Sequence, residues 1–498
     1  MTDPQTPPGP EASRPAAPPE NPAAAAPASS PPPAASDAPA APADKPRPVP
    51  IAVRGIAVNA ASGAASGVSP AGAPKAAAAK KPAKPLIHGP WRFATLLIAP
   101  HRLGFFCAMV VLLAASLWWA LVQHNRAIGI PALAPEQAPL LTHAAVMVFG
   151  FMPLFFSGFL FTAGPRWLGV PPHGPKVTAP AVIMQTIGWL LWLAGAHVSA
   201  TLALAGMALA AAGLGWMVAQ FWQLIARSSD EDQVHARSVG LGGIVGVLSL
   251  GGACLALALE RMDVALLCIH TGLWGFIVVT YVTVAHRMIP FFTSNVLPMI
   301  ALWRPFWVLW LMLGVCAWQA LAVWVQALLA PGAWWSALAL TLEAAAGAVL
   351  LWLAIVWGLV QSMKIRLLAM LHVGFVWLGL ALVYGALGRA LALWLGHDVL
   401  GLGPLHLLGM GFLGSIMLAM VTRVSCGHSG RALVADSAVW SLFWTLQGAV
   451  IVRTVAAMDG APAWLLLLAA LIWAAIMLVW CLRFGNWYGR PRSDGKPG

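Results

Sequence analysis

Long apolar runs, separated by short polar or basic segments, follow one another from about residue 103 to near the C-terminus. Each run has roughly the 20 residues that an α-helix needs to cross the hydrocarbon of a bilayer. Because a backbone in hydrocarbon must satisfy its own hydrogen bonds, each run is predicted to be a helix. We count about twelve runs, near residues 103–123, 140–163, 180–197, 201–226, 238–259, 263–285, 305–330, 335–362, 366–395, 402–422, 433–457 and 462–483. The division at 195–201 is the weakest, since hardly any polar loop separates the two runs there.

The composition agrees with this pattern, because 60% of the residues are hydrophobic, 9% are charged and the mean hydropathy is +0.80. A soluble domain carries roughly a quarter charged residues. We therefore predict an all-α fold, a polytopic membrane helix bundle of about 12 transmembrane helices. The net charge of +12 does not indicate nucleic-acid binding, since the basic residues are spread singly or in pairs between apolar runs.

Residues 1–88 are predicted to be a disordered, Ala/Pro-rich cytoplasmic tail, because they contain too little apolar surface to form a core. They lack the apolar centre of a signal peptide near Met1, so no cleavage is expected. Residues 89–485 form the predicted transmembrane bundle, and residues 486–498 a short basic C-terminal tail.

The basic residues also predict the orientation. With the N-terminus inside, alternate loops receive most of the Lys and Arg residues, and the opposite side has little beyond Arg126, Arg261 and Arg389. By the positive-inside rule, this asymmetry indicates an even number of spans with both termini in the cytoplasm. The six cysteines show no CxxC pairing and are predicted to be packing residues.

Three histidines are predicted to share one layer near the outer surface, namely His143 in span 2, His270 in span 6 and His406 in span 10. An imidazole in hydrocarbon is costly without a partner and so marks a functional site. Met147 and Met410 follow His143 and His406 by four residues, on the same helical face. Neutral imidazole binds copper and haem iron, and a thioether binds Cu(I) or packs on a porphyrin. A packing role for each of these side chains remains open.

Two further histidines, His286 at the predicted end of span 6 and His372 near the start of span 9, are expected in an inner layer. His270 and His286 lie roughly 24 Å apart along a helix, so one metal cannot bind both. Five other histidines are predicted to be solvated in loops or tails: His88, His124, His173, His235 and His397.

Two ionisable groups lie within apolar runs, Glu343 in span 8 and Arg453 in span 11. Glu343 is a possible proton relay or, equally, a structural partner of a histidine or an arginine. In span 10, the glycines Gly409, Gly411 and Gly414 would let a flat or bulky group approach the backbone. A basic loop is predicted after this span, with Arg423, Cys426, His428 and Arg431.

Several motifs resemble the NnrS family, haem- and copper-containing membrane proteins linked to bacterial nitric oxide response and denitrification. The matching segments are PHRLGFF at 100–106, THAAVMVFGFMPLFFSGFLFTAGPRWLG at 142–169, HRMIPFFT at 286–293, LHVGFVWLG at 371–379 and LHLLGMGFLGSIMLAMVTRVSCGHSGR at 405–431. The resemblance implies about twelve spans in the bacterial inner membrane, with haem and copper. It implies His143 and His406 as axial haem ligands beside Met147 and Met410. His270 is then the first choice for copper, with His286 and His372 as alternatives.

The chain departs from the family pattern in span 2, where a motif resembling HAHEMLFG is replaced by HAAVMVFG, so a histidine and a glutamate become Ala145 and Val146. A fold-level analogy exists with the main subunit of haem–copper oxidases, which takes haem ligands from spans 2 and 10. The adjacent His-His pair of the oxidase copper site is missing here, so an oxygen-reducing centre is not expected.

The sequence thus predicts a haem–copper membrane protein that binds nitric oxide or transfers electrons, with an unidentified electron donor. It does not establish whether the protein is an enzyme. One alternative is a cofactor-free transporter or ion channel that uses Glu343, Arg453 and the histidines. Another is a protein that handles haem or copper for other enzymes.

Overall fold

A computed structural model describes residues 89–130, 135 and 137–496. The predicted N-terminal tail lies outside the described residues. Twelve helices are long and apolar enough to cross a membrane, which confirms the predicted bundle. They are numbered here as spans 1 to 12 and run over Pro100–Ile128, Pro139–Trp167, Pro175–Val198, Ala200–Arg227, Val234–Ala258, Met262–Val296, Phe306–Leu329, Ala333–Val356, Arg366–Leu395, Gly403–His428, Ser437–Val455 and Trp464–Tyr488. Two short helices, Phe93–Leu96 and Leu359–Ser362, lie outside these spans.

Most boundaries lie close to the predicted ones, but spans 6 and 10 continue further. Span 6 runs on through Pro290 to Val296, so His286 lies inside the helix and not at its end. Span 10 continues to His428, so the predicted basic loop is wrong for Arg423, Cys426 and His428, which are helical. In both places polar and basic residues follow the apolar run, and the helix continues because part of this segment is buried against other spans.

The division between spans 3 and 4 is confirmed, and it consists of Ser199 alone in an extended conformation. The two helices pack very closely through small residues. A Cβ added to Gly195 would lie 2.3 Å from the nitrogen of Ala203, and one added to Gly188 would lie 2.5 Å from the carbonyl oxygen of Gly206. In lipid, helices associate through such close packing of small residues.

Spans 2, 6 and 10 are irregular, and these spans carry the predicted outer histidines. Span 2 is interrupted at Gly150 and Phe151, between the helices Pro139–Phe149 and Met152–Trp167. Span 6 contains a π-helical segment at Leu273–Val278, and span 10 contains one at Leu407–Gly414. Wide π-turns inside α-helices frequently occur at functional sites.

Hydrogen bonds between helices fix the first and last spans against each other and against span 10. The Trp473 indole donates to the Ser116 hydroxyl at 2.9 Å, and the Trp480 indole donates to the Thr422 hydroxyl at 3.2 Å. At the other end, the amide of Arg92 donates to the Gly489 carbonyl at 2.8 Å. The described part of the predicted C-terminal tail is therefore attached to the bundle. The six cysteines are free, and five of them are buried, as packing residues would be.

We expect Gly206→Leu to destabilise the protein by at least about 1–3 kcal/mol, because the new side chain would clash with the backbone of span 3. The melting temperature of the detergent-solubilised protein would report this. Gly251→Leu in span 5 is the matched control, since nothing lies within 4 Å of a Cβ at that position. Equal melting temperatures for the two variants would contradict the packing described for spans 3 and 4.

Candidate cofactor site

A cleft bounded by spans 1, 2, 6, 10, 11 and 12, here called the histidine cleft, brings His143, His270 and His406 together. It contains about 1110 Å³ of space not occupied by protein atoms, part of it open to the surroundings. The three histidines that the sequence assigns to one depth thus line one space.

His143 is held by an aromatic partner. Its ring stacks on the indole of Trp119, with centroids 3.9 Å apart and planes inclined by 21°. Its Nδ1 is buried and has no hydrogen-bond partner among the described residues. The stacking fixes the plane of the imidazole, and the unpartnered nitrogen indicates that the hydrogen-bonding capacity of the ring is not used by the protein.

His406 has a defined tautomer. Its Nδ1 lies 2.8 Å from the carbonyl oxygen of Leu402. A carbonyl can only accept, so Nδ1 carries the proton and donates, and the lone pair remains on Nε2. Such a hydrogen bond orients a metal-ligating imidazole and increases its basicity. His406 therefore presents the nitrogen that a metal would require.

Met147 and Met410 also line the cleft, each one helical turn beyond its histidine. Gly409 faces open space, since no atom lies within 4 Å of an added Cβ. The other two glycines predicted to leave room differ. Gly411 packs against the indole of Trp377, and Gly414 lies in contact with Trp473. Only Gly409 among the three widens the cleft.

Arg453 supplies the positive charge of the histidine cleft. One of its terminal nitrogens, Nη1, is buried without a partner among the described residues. No Asp or Glu is among the described residues that line the cleft. The guanidinium lies close enough to act electrostatically on both His143 and His406. A buried guanidinium nitrogen without an acceptor is costly, so the cleft is suited to an apolar ligand that carries a carboxylate or another anionic group.

His270 lines a second cleft as well, here called the polar cleft, which adjoins the histidine cleft and contains about 1480 Å³ of empty space. Glu343 lines the polar cleft and is only 4% exposed. Arg389 donates to its two carboxylate oxygens at 3.0 and 3.1 Å, and Gln319 donates at 3.0 Å. Glu343 has the arginine partner that one of the two interpretations of this residue expected. A role in proton relay stays a prediction.

His286 is bonded through both ring nitrogens. Its Nε2 lies 3.1 Å from the carbonyl oxygen of Pro305, and its Nδ1 lies 3.0 Å from Nε2 of His235. Because the carbonyl must accept, His286 is protonated on Nε2, and His235 donates to Nδ1. Copper binding by His286 would require one of these hydrogen bonds to break.

The prediction that His235 is solvated is therefore wrong, since it is 2% exposed and bonded to His286. His173 is likewise buried, 9% exposed, and packs against Phe161. His173 lies in the loop between spans 2 and 3 and His235 at the start of span 5, and the packing of the helices encloses both.

His372 has one free nitrogen. The Thr293 hydroxyl donates to the Ile289 carbonyl at 2.9 Å, so it accepts the proton of His372 Nε2, also at 2.9 Å. This leaves Nδ1 of His372 buried and unpartnered among the described residues. No group of three or more His, Cys, Asp or Glu side chains in the described part of the chain is arranged to hold a metal ion. The predicted inner copper site is thus not preformed by such residues alone.

A further histidine pair was missed by the sequence analysis. His101, at the start of span 1, lies against His428 at the end of span 10, with ring centroids 4.1 Å apart. His101 is 3% exposed and Nδ1 has no partner among the described residues. Its place beside Arg102 at the beginning of an apolar run resembles an ordinary basic helix end, so the pattern alone could not single it out.

Comparison with known proteins shows which family the chain belongs to. The family model described as NnrS protein matches residues 95–492, which include all twelve spans and the whole histidine cleft. No curated protein matches the chain. Because the match covers most of the chain and agrees with the fold and the motifs of spans 1, 2, 6, 9 and 10, this protein belongs to the NnrS family.

Proposed function

We propose that the histidine cleft holds a haem with His143 and His406 as axial ligands, in a protein that binds nitric oxide or transfers single electrons. Two imidazoles, an unpartnered guanidinium and apolar walls line the same space. Haem accepts two axial histidines and carries carboxylates on an apolar ring, so these residues fit the group. Membership in a family of the nitric oxide response supports the proposal. The proposal rests on one observation: unpartnered imidazole nitrogens and an unpaired guanidinium line the same cleft.

The residues of the cleft have distinct roles in this proposal. Trp119 fixes the ring plane of His143, and the Leu402 carbonyl fixes the tautomer of His406. Arg453 would pair with a haem carboxylate and would favour the reduced iron, because a nearby cation stabilises the less positive state. A haem held by two histidines would supply a one-electron centre, and nitric oxide would bind its iron only where one of the two histidines dissociates. The apolar walls keep bulk water away from it.

We propose His270 as the copper ligand. It lines the same cleft as Met147 and Met410, and the combination of imidazole with thioether suits Cu(I). His286 offers no free nitrogen, and the free Nδ1 of His372 lies outside the histidine cleft. We further propose that the protein lies in the bacterial inner membrane with both termini in the cytoplasm.

His143→Ala and His406→Ala should each remove or strongly alter the haem absorption spectrum of the purified protein, because each loses one axial ligand. His397→Ala, at an exposed histidine, is the matched control and should leave the spectrum unchanged. An unaltered spectrum in both cleft variants would contradict the ligand assignment. A folded wild-type protein without colour or metal would contradict the haem proposal itself and favour cofactor-free transport through the polar cleft.

Arg453→Gln should lower the midpoint potential of the haem, because the removed cation no longer stabilises the reduced state. Spectroelectrochemical titration of the variant and the wild type would measure the shift. Arg453→Lys keeps the charge and should restore most of the potential. A potential that is the same in all three proteins would show that Arg453 does not act on the haem.

His270→Ala should lower the copper content of the purified protein while the haem content stays at the wild-type level. Metal analysis of one sample, normalised to the haem absorption, would measure both. His372→Ala is the informative comparison. If His372→Ala loses copper while His270→Ala retains it, His372 in the inner layer is the copper ligand and the assignment of His270 is wrong.

A further inference from the structure

A third cleft, partly open to the surroundings, is almost entirely apolar. This aromatic cleft lies between spans 1, 2, 6 and 10 and contains about 510 Å³ of empty space. Phe105, Phe155, Phe159 and Met420 are among its walls. Its two polar residues are already bonded, because Thr280 donates to the Phe276 carbonyl and Tyr281 donates to the sulfur of Met152. The aromatic cleft therefore accepts apolar chains and offers no free polar partner.

A group of basic side chains lies one helical turn beyond the aromatic cleft, towards the end of the bundle that is predicted to be cytoplasmic. His101 precedes the cleft residue Phe105 by one turn, and His428 follows the cleft residue Val424 by one turn. Residues four apart share a helical face. The inner basic cluster, as we name it, consists of His101, Arg102, Arg166, His428 and Arg492.

Four segments of the chain contribute to the inner basic cluster. Arg102, Arg166 and Arg492 lie close enough to His428 to act on it electrostatically. Arg492 is held there because the buried Ser493 donates to the Ser429 carbonyl from its amide and from its hydroxyl, both at 2.9 Å. The C-terminal segment thus closes over the end of span 10.

The positive charge of the cluster is only partly balanced. Arg492 binds both carboxylate oxygens of Asp494, at 2.9 and 2.7 Å. These bonds hold the pKa of the Asp494 carboxyl below its usual range, so it stays ionised at neutral pH. Arg102 and Arg166 form no ion pair with any described carboxylate. The buried guanidinium of Arg102 and the exposed guanidinium of Arg166 therefore both lack a described counter-ion.

Two buried nitrogens of the cluster are also unpartnered among the described residues, Nδ1 of His101 and Nε of Arg102. Both residues are 3% exposed. Arg102 is fixed in place, since Nη1 donates to the carbonyls of Tyr488 and Arg490 at 2.9 and 2.7 Å. Nε of Arg102 is always a donor, and a buried donor without an acceptor is costly. An acceptor from outside the protein would therefore stabilise the cluster.

We propose that an anionic phospholipid binds here, with its phosphate on the inner basic cluster and an acyl chain in the aromatic cleft. Phosphate oxygens accept strong bonds from guanidinium and imidazole donors, and basic pockets between membrane helices bind anionic head groups. The adjoining aromatic cleft favours a lipid over free phosphate, because only a lipid has an acyl chain to place there. The excess of guanidinium groups favours an anion over a neutral lipid-soluble ligand such as a quinone.

The experiment is a titration of the delipidated full-length protein with phosphatidylglycerol, phosphatidylcholine or inorganic phosphate, followed by native mass spectrometry. The wild type should retain one phosphatidylglycerol in preference to phosphatidylcholine. Arg166→Gln and His428→Gln should weaken this binding by about tenfold each, as loss of one charge-assisted hydrogen bond predicts. Met420→Trp, which fills the aromatic cleft, should weaken phosphatidylglycerol binding but leave phosphate binding unchanged.

Arg237→Gln is the matched control, because Arg237 is exposed and is predicted to lie on the same side of the membrane. It should bind phosphatidylglycerol as the wild type does. Equal binding in Arg166→Gln, His428→Gln and this control would overturn the proposal. So would equal retention of phosphatidylcholine, tight phosphate binding with no added affinity for the lipid, or a quinone that occupies the site instead.

Discussion

Every backbone amide and carbonyl in the hydrocarbon must find its hydrogen-bond partner within the protein, and this constraint governs the whole structure. Regular helices meet it along most of each span. The departures in spans 2, 6 and 10 occur next to the histidine cleft, at Gly150–Phe151 and in the π-helical segments Leu273–Val278 and Leu407–Gly414. Irregular backbone at this depth is tolerated where it lines an internal space. The irregular segments of spans 2, 6 and 10 therefore occur where the backbone borders the histidine cleft.

Unpartnered buried nitrogens occur at both proposed ligand sites, and among the described residues they also occur at His173, His235 and His372. His286 bonds to His235 and the Pro305 carbonyl, and Glu343 bonds to Arg389, which accounts for the burial of His286 and Glu343 without a ligand. His143 and Arg453 in the histidine cleft, and His101 and Arg102 in the inner basic cluster, each retain a nitrogen without a partner among the described residues. Because each such group costs about 1–3 kcal/mol, a bound anion or metal at these places would stabilise the fold as well as serve function.

The two proposed sites lie at different depths and carry charge of the same sign. Arg453 contributes it near the outer layer and the inner basic cluster contributes it near the other end. The outer site combines this charge with free imidazole nitrogens and an adjacent polar cleft, which suits a redox cofactor with carboxylates. The inner site combines it with an aromatic cleft, which suits a lipid. Both proposed sites contain basic residues, so the groups around those residues are what favour a cofactor at one site and a lipid at the other.

The sequence alone determined the twelve spans and the common depth of His143, His270 and His406, because hydropathy and position along a helix are local properties of the chain. It also identified the family through ordered motifs. It could not determine which helical faces meet, since this depends on packing between distant segments. The pairs of His235 with His286, His101 with His428 and Glu343 with Arg389 are of this kind. Only the tertiary structure decided them, because burial and hydrogen bonding of a polar side chain are settled by its neighbours in space.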